Sequence, residues 1–180
     1  MIYLTKDLLE RGETEYSIRK RVANGSLFLI EHGVYSDDPS ALLDEGYISK
    51  KYPNSIVTGL SAFYLYDLTD YIPNAFYLAT EQHSFPIRRN DVSQSYQNPS
   101  FFSVGKTSIK SNGASVNTYD LERLLIELIR LKEKYPPELY YDVLSNFRKL
   151  KSKLDFYKIN EYSKHFKNGA FIIQKIKEVI

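Results

Sequence analysis

Leu121, Leu124, Leu125, Leu128 and Leu131 recur at three- and four-residue steps, which lines five leucines along one side of an α-helix. A face of that kind is stable only when another layer covers it, so the rest of the chain has to provide an apolar surface to match. The segments before it supply strands. Ala75–Thr80 (AFYLAT) sits between turn residues, Ser55–Thr58 is a short apolar run, and Phe101–Val104 reads as a further strand. Ser111-Asn112-Gly113 predicts a hairpin, because Asn-Gly accepts the positive φ of a tight turn. Residues 81–99 are polar and hold two prolines, which predicts a loop with an edge strand near Ile87. Helices are expected from about Pro39 to Lys51, across LSAFYLYDL, and over Glu138–Leu150, Phe156–Phe166 and Ala170–Val179. The expectation is an α+β fold with a C-terminal helical bundle packed on a small sheet.

The first 36 residues have a different texture. TKDLLER reads as a short helix that Thr5 caps and Gly12 ends, and a second helix follows from a Thr14 cap through Ile18 and Val22 to Gly25. Leu27–Ile30 and Val34-Tyr35 then form a hairpin across Glu31-His32-Gly33. Two helices and a hairpin make a small winged helix-turn-helix pattern. The polar Asp37-Asp38-Pro39 marks the boundary, giving a module over 1–36 and a mixed α/β domain over 37–180.

Composition narrows the classes of function. With 180 residues, 43% hydrophobic and 26% charged, the chain suits a packed core. Cysteine is absent, which removes disulfides, thiolate metal sites and a cysteine nucleophile. The opening MIYLTKDLLERG lacks a signal-peptide layout and no long apolar run follows, so a cytoplasmic protein without a membrane partner is expected. His32, His83 and His165 are isolated, and no Gly-rich phosphate loop, metal-ligand spacing or nuclease-type carboxylate pattern is present. The expectation is a protein that is not an enzyme and carries no cofactor or metal. Glu122-Arg123 reads as a helix-start charge and a structural ion pair.

Taken in order, TKDLLERG…ANGSLFLIEHGVY, YPNSIVTGLSAFYLYDLTDYIPNAFYLAT and DLERLLIELIR resemble the AbiEi family of antitoxins from bacterial phage-defence toxin–antitoxin operons. The likeness spans most of residues 4–131 and rests on the order and spacing of short motifs. It implies an N-terminal winged helix-turn-helix that represses its own operon at operator inverted repeats. It also implies a larger domain that counters a nucleotidyltransferase-like toxin, as a type IV antitoxin acting without a stable complex. The module reads as trimmed relative to the family, lacking a preceding helix, and Glu13 and Arg21 then stand in solvent where the family has apolar residues.

On this reading Tyr16, Ser17, Arg19 and Lys20 are the candidates for DNA contact, with His32 on the wing. Residues 1–35 nevertheless balance five basic against five acidic side chains. Arg88, Arg89, Lys106 and Lys110 are candidates for a second basic patch, or for charges guarding strand edges. Residues 36–80 hold two lysines against six carboxylates, whereas residues 151–180 hold seven lysines against three. That basic end, with Phe156, Tyr157, Tyr162, Phe166 and Phe171 interleaved, suits a solvated helical surface over an aromatic core, or else a partner that is nucleic acid, stacked on those rings, or an acidic protein surface. Two further functions fit the residues: a module that binds the toxin or another acidic protein without DNA, and a free-standing transcriptional regulator.

Overall fold

A computed structural model describes residues 1–180. The N-terminal module comprises β1 (Ile2–Leu4), α1 (Thr5–Glu10), α2 (Glu15–Ala23), β2 (Phe28–Glu31) and β3 (Val34–Ser36). β3 lies between β1 and β2, antiparallel to both. The strand β1 is not apparent in the sequence, since three residues are too few to show alternation. Its Tyr3 nevertheless joins Leu8, Ile18 and Leu27 in a separate small core.

The larger part contains α3 (Glu45–Lys51), β4 (Ile56–Val57), α4 (Gly59–Leu65), β5 (Phe76–Glu81), β6 (Val92–Gln97) and α5 (Pro99–Phe102). It continues with β7 (Lys106–Ser111), β8 (Ala114–Tyr119), α6 (Leu121–Arg130), α7 (Pro137–Lys149), α8 (Phe156–Ser163) and α9 (Gly169–Val179). Five strands form one sheet in the order β6-β5-β4-β8-β7. β5 runs antiparallel to β4 and parallel to β6, while β4 and β8 are parallel. The β7–β8 hairpin turns at Asn112 and Gly113, both at positive φ, as the Asn-Gly pair predicts. The fold is α+β.

Local chemistry explains where sequence and structure part. The expected helix from Pro39 begins only at Glu45, because Asp38 accepts from the Ser40 amide at 2.9 Å and closes a turn there. Asp44 then caps α3 by accepting from the Tyr47 amide at 2.8 Å. Phe101–Val104 is not a strand. Asn98 accepts from the Ser100 amide at 2.9 Å with Pro99 next, which starts the single helical turn α5. The edge strand lies at Val92–Gln97 rather than near Ile87, and its polar sequence VSQSYQ carries little apolar signal.

The leucine face of α6 is covered by α4, α7, α8 and α9 in one core that also contains Ile56, Val57 and Leu78 of the sheet. Arg123 sits inside it with a side chain 0% exposed. Its Nε and Nη2 donate to Glu127 Oε1 at 3.0 and 2.8 Å, and its Nη1 donates to the Phe101 and Val104 carbonyls at 2.7 and 3.0 Å. The guanidinium also lies 4.5 Å from the Tyr119 ring centroid and 4.9 Å from that of Phe166. Glu122 is not its partner, for Glu122 Oε1 accepts from the Asp155 amide at 2.9 Å. Gly105, at φ +74°, lets the chain pass so close that an added Cβ would meet Arg123 Cβ at 2.5 Å.

Replacing Arg123 with Met leaves the Glu127 carboxylate buried with only Arg130 as a cation, and should cost about 3–5 kcal/mol in a urea titration. Replacing both Arg123 and Glu127 with apolar residues should cost less than the single change.

Candidate nucleic-acid interface

The turn between α1 and α2 is fixed by a reciprocal pair. Thr14 Oγ1 accepts from the Ser17 amide at 3.1 Å, and Ser17 Oγ accepts from the Thr14 amide at 2.9 Å. Ser17 also donates to the Thr14 carbonyl at 2.8 Å, so this hydroxyl serves the helix start and is not free for a base edge. Ile18 is buried under α2, which turns Tyr16, Arg19 and Lys20 outward, with Tyr16 76% exposed. Arg19 pairs with Glu15 at 3.3 Å in open solvent, an interaction of small net worth that phosphate competes with readily. Lys20 has no ion partner. Glu13 and Arg21, expected as free charges in solvent, instead pair with each other while partly buried.

The hairpin tip faces elsewhere. The Gly33 carbonyl accepts from the Thr5 amide and hydroxyl at 2.9 and 3.2 Å, tying the tip to the start of α1, while Tyr16 follows the turn at the other end of that helix. His32 is exposed beside this tie. Its neighbour Glu31 accepts from Tyr47 Oη, Lys51 Nζ and Arg89 Nη1, all from the larger part of the chain. Asp7 and Lys50 add a second pair at 3.0 Å, and Ile2, Leu4 and Ile30 pack on the larger core. The module is thus seated on α3 rather than carried on a loose linker.

Arg89 is therefore not a surface cation. Its side chain is 14% exposed and also holds Asp91 at 2.6 Å. Arg88 is exposed in the loop before β6, whereas Lys106 and Lys110 stand exposed on β7, the opposite edge of the sheet. These four residues do not form one patch. In the C-terminal helices Lys158, Lys164 and Lys175 pair with Asp120, Glu161 and Glu178. Phe166 is core, Tyr162 donates to Asp120 Oδ2 at 2.9 Å, and Phe156, Tyr157 and Phe171 are exposed.

The Glu31 cluster escapes sequence reasoning because its members lie up to 58 residues apart. The Arg123–Glu127 pair does leave a signal, an opposite-charge i,i+4 spacing inside a leucine-rich helix.

No family model matches this chain, and no curated protein matches it. Its fold has a solved counterpart. The RV2827C protein from Mycobacterium tuberculosis aligns over 97% of this chain and 71% of its own, with a TM-score of 0.61 at 12% identity. That likeness extends across both parts of the chain and concerns the fold. No helix is long and apolar enough to cross a membrane.

Partial burial raises the Glu31 carboxyl, but the hydrogen bonds from Lys51, Tyr47 and Arg89 outweigh it and bring the pKa down to about 2. A depressed carboxylate stabilises the fold fully above its unfolded pKa and loses that contribution as pH falls through the folded value. Amide exchange in residues 1–36 should therefore accelerate as pH is lowered from about 4.5 toward 2, beyond the intrinsic rate change. Glu31→Gln should show faster exchange there at pH 7, with a flatter pH response.

Proposed function

We propose that this chain is an antitoxin of the AbiE type, with a module that contacts operator DNA through α2 and a larger domain that counters a nucleotidyltransferase-like toxin. The observation that carries the DNA half is the burial of Ile18 in the small core, which leaves Tyr16, Arg19 and Lys20 of α2 facing solvent. The ordered motifs that resemble AbiEi antitoxins support the toxin half. A cytoplasmic location without cofactor or metal belongs to the same proposal. Because residues 1–35 balance in charge, affinity has to come from a few phosphate contacts and from pairing of copies on inverted repeats.

A specific observation favours a second reading. The hairpin tip that would serve as a wing is bound to the protein itself through Glu31 and Gly33. A module held in this way suits a protein that has lost DNA binding and meets the toxin or another acidic partner through its lysine-rich C-terminal helices.

Two experiments decide between them. In gel shifts on the inverted repeats upstream of its operon, Arg19→Ala with Lys20→Ala should weaken binding about tenfold or more and flatten its salt dependence. Glu15→Gln, which releases Arg19, should strengthen it. Equal binding by all variants removes α2 from the interface. Co-expression with the neighbouring toxin should restore growth, and continued arrest would falsify the antitoxin assignment. Toxin pull-down at moderate salt without an operon shift establishes the second reading.

A further inference from the structure

The α6 end of the five-stranded sheet holds a groove of about 570 Å³ that the antitoxin reading does not use. Its floor is the face of β5 and β6 carrying Tyr77, Ser95 and Gln97, which alternation places on one side of the paired strands. Its opposite wall comes from the end of α6 and the turn after it, with Arg130, Lys134 and Tyr135.

Three features of these residues suit a ligand. Gln97 is only 9% exposed, its side-chain amide makes no hydrogen bond within the chain, and that amide borders the groove, where solvent reaches it. The Tyr135 hydroxyl is likewise unpartnered, and burial raises its pKa, so at neutral pH it remains a donor. The third is charge. Glu127, the one carboxylate lining the groove, is already held by Arg123 and by Arg130 Nε at 3.2 Å. Its single negative charge is shared between two guanidiniums, and the exposed Lys134 ammonium has no ion partner, so the groove carries a net positive charge.

We propose that this groove binds a nucleoside phosphate. The phosphate sits between Lys134 and the Nη1 edge of Arg130, whose Nε and Nη2 stay on Glu127. The base lies toward Gln97, whose amide offers the paired donor and acceptor that an adenine edge requires, as it does in groove recognition of DNA. Tyr77 and Tyr135 supply ring surface beside it. The volume falls within the range of small-molecule sites, and the largely polar lining suits a charged, hydrogen-bonding ligand. This assignment stands independently of DNA binding by α2.

The test is calorimetric titration of the full chain with adenosine 5′-diphosphate, and separately with inorganic phosphate. Saturable binding of the nucleotide is expected, at least about tenfold tighter than phosphate alone. Lys134→Glu, at an exposed position that the fold does not need, should abolish it. Gln97→Leu, checked for unchanged melting temperature, should bring the nucleotide's affinity down to that of phosphate. The proposal is overturned by absence of saturable nucleotide binding, by phosphate binding as tightly as the nucleotide, or by Lys134→Glu binding as the parent does.

Discussion

A permanently charged guanidinium at the centre of the larger core is the constraint on which the rest of that domain depends. Arg123 cannot lose its proton, so it has to be surrounded by acceptors and ring faces wherever it goes. The Phe101 and Val104 carbonyls, Glu127, Tyr119 and Phe166 all serve that end. In doing so they bring together the α5 turn, the end of β8, helix α6 and the segment between α8 and α9. The leucine face supplies most of the burial, but burial is not directional. The hydrogen bonds that Arg123 donates to the Phe101 and Val104 carbonyls fix how α6 sits against the turn that leads into β7.

A second charged group does similar work between the two parts of the chain. Glu31, at the end of a strand in the small module, collects three donors from α3 and the loop before β6. The small core contains only four fully buried hydrophobic residues, too few to stabilise 36 residues alone. Seating on α3 provides the missing apolar contact through Ile2, Leu4 and Ile30. The direction in which α2 points is therefore a property of the whole chain.

Much of this was legible in advance. The Thr14 cap, the Asn112-Gly113 turn and the α6 stripe act within a few residues, and each has a strong local signature. The expected start of α3 and the expected strand at Phe101 failed for equally local reasons, since Asx turns and an Asn-Pro cap compete with longer-range patterns. β1 and β6 were hidden because one is very short and the other is polar on an edge. Among the candidate site residues, exposure of Tyr16, Arg19 and Lys20 follows from Ile18 being the buried position of α2. The roles of Ser17 and Arg89 were not legible. A hydroxyl near a helix start serves either cap or ligand, and the partner Glu31 lies far away in sequence.

The distance between Glu31 and Arg89 also bears on synthesis of the protein. The module is complete by residue 36, but its three acceptor contacts need Tyr47, Lys51 and Arg89 to have left the ribosome. During that interval Ile2, Leu4 and Ile30 face water on a nascent chain, a sticky surface of the kind that chaperones engage.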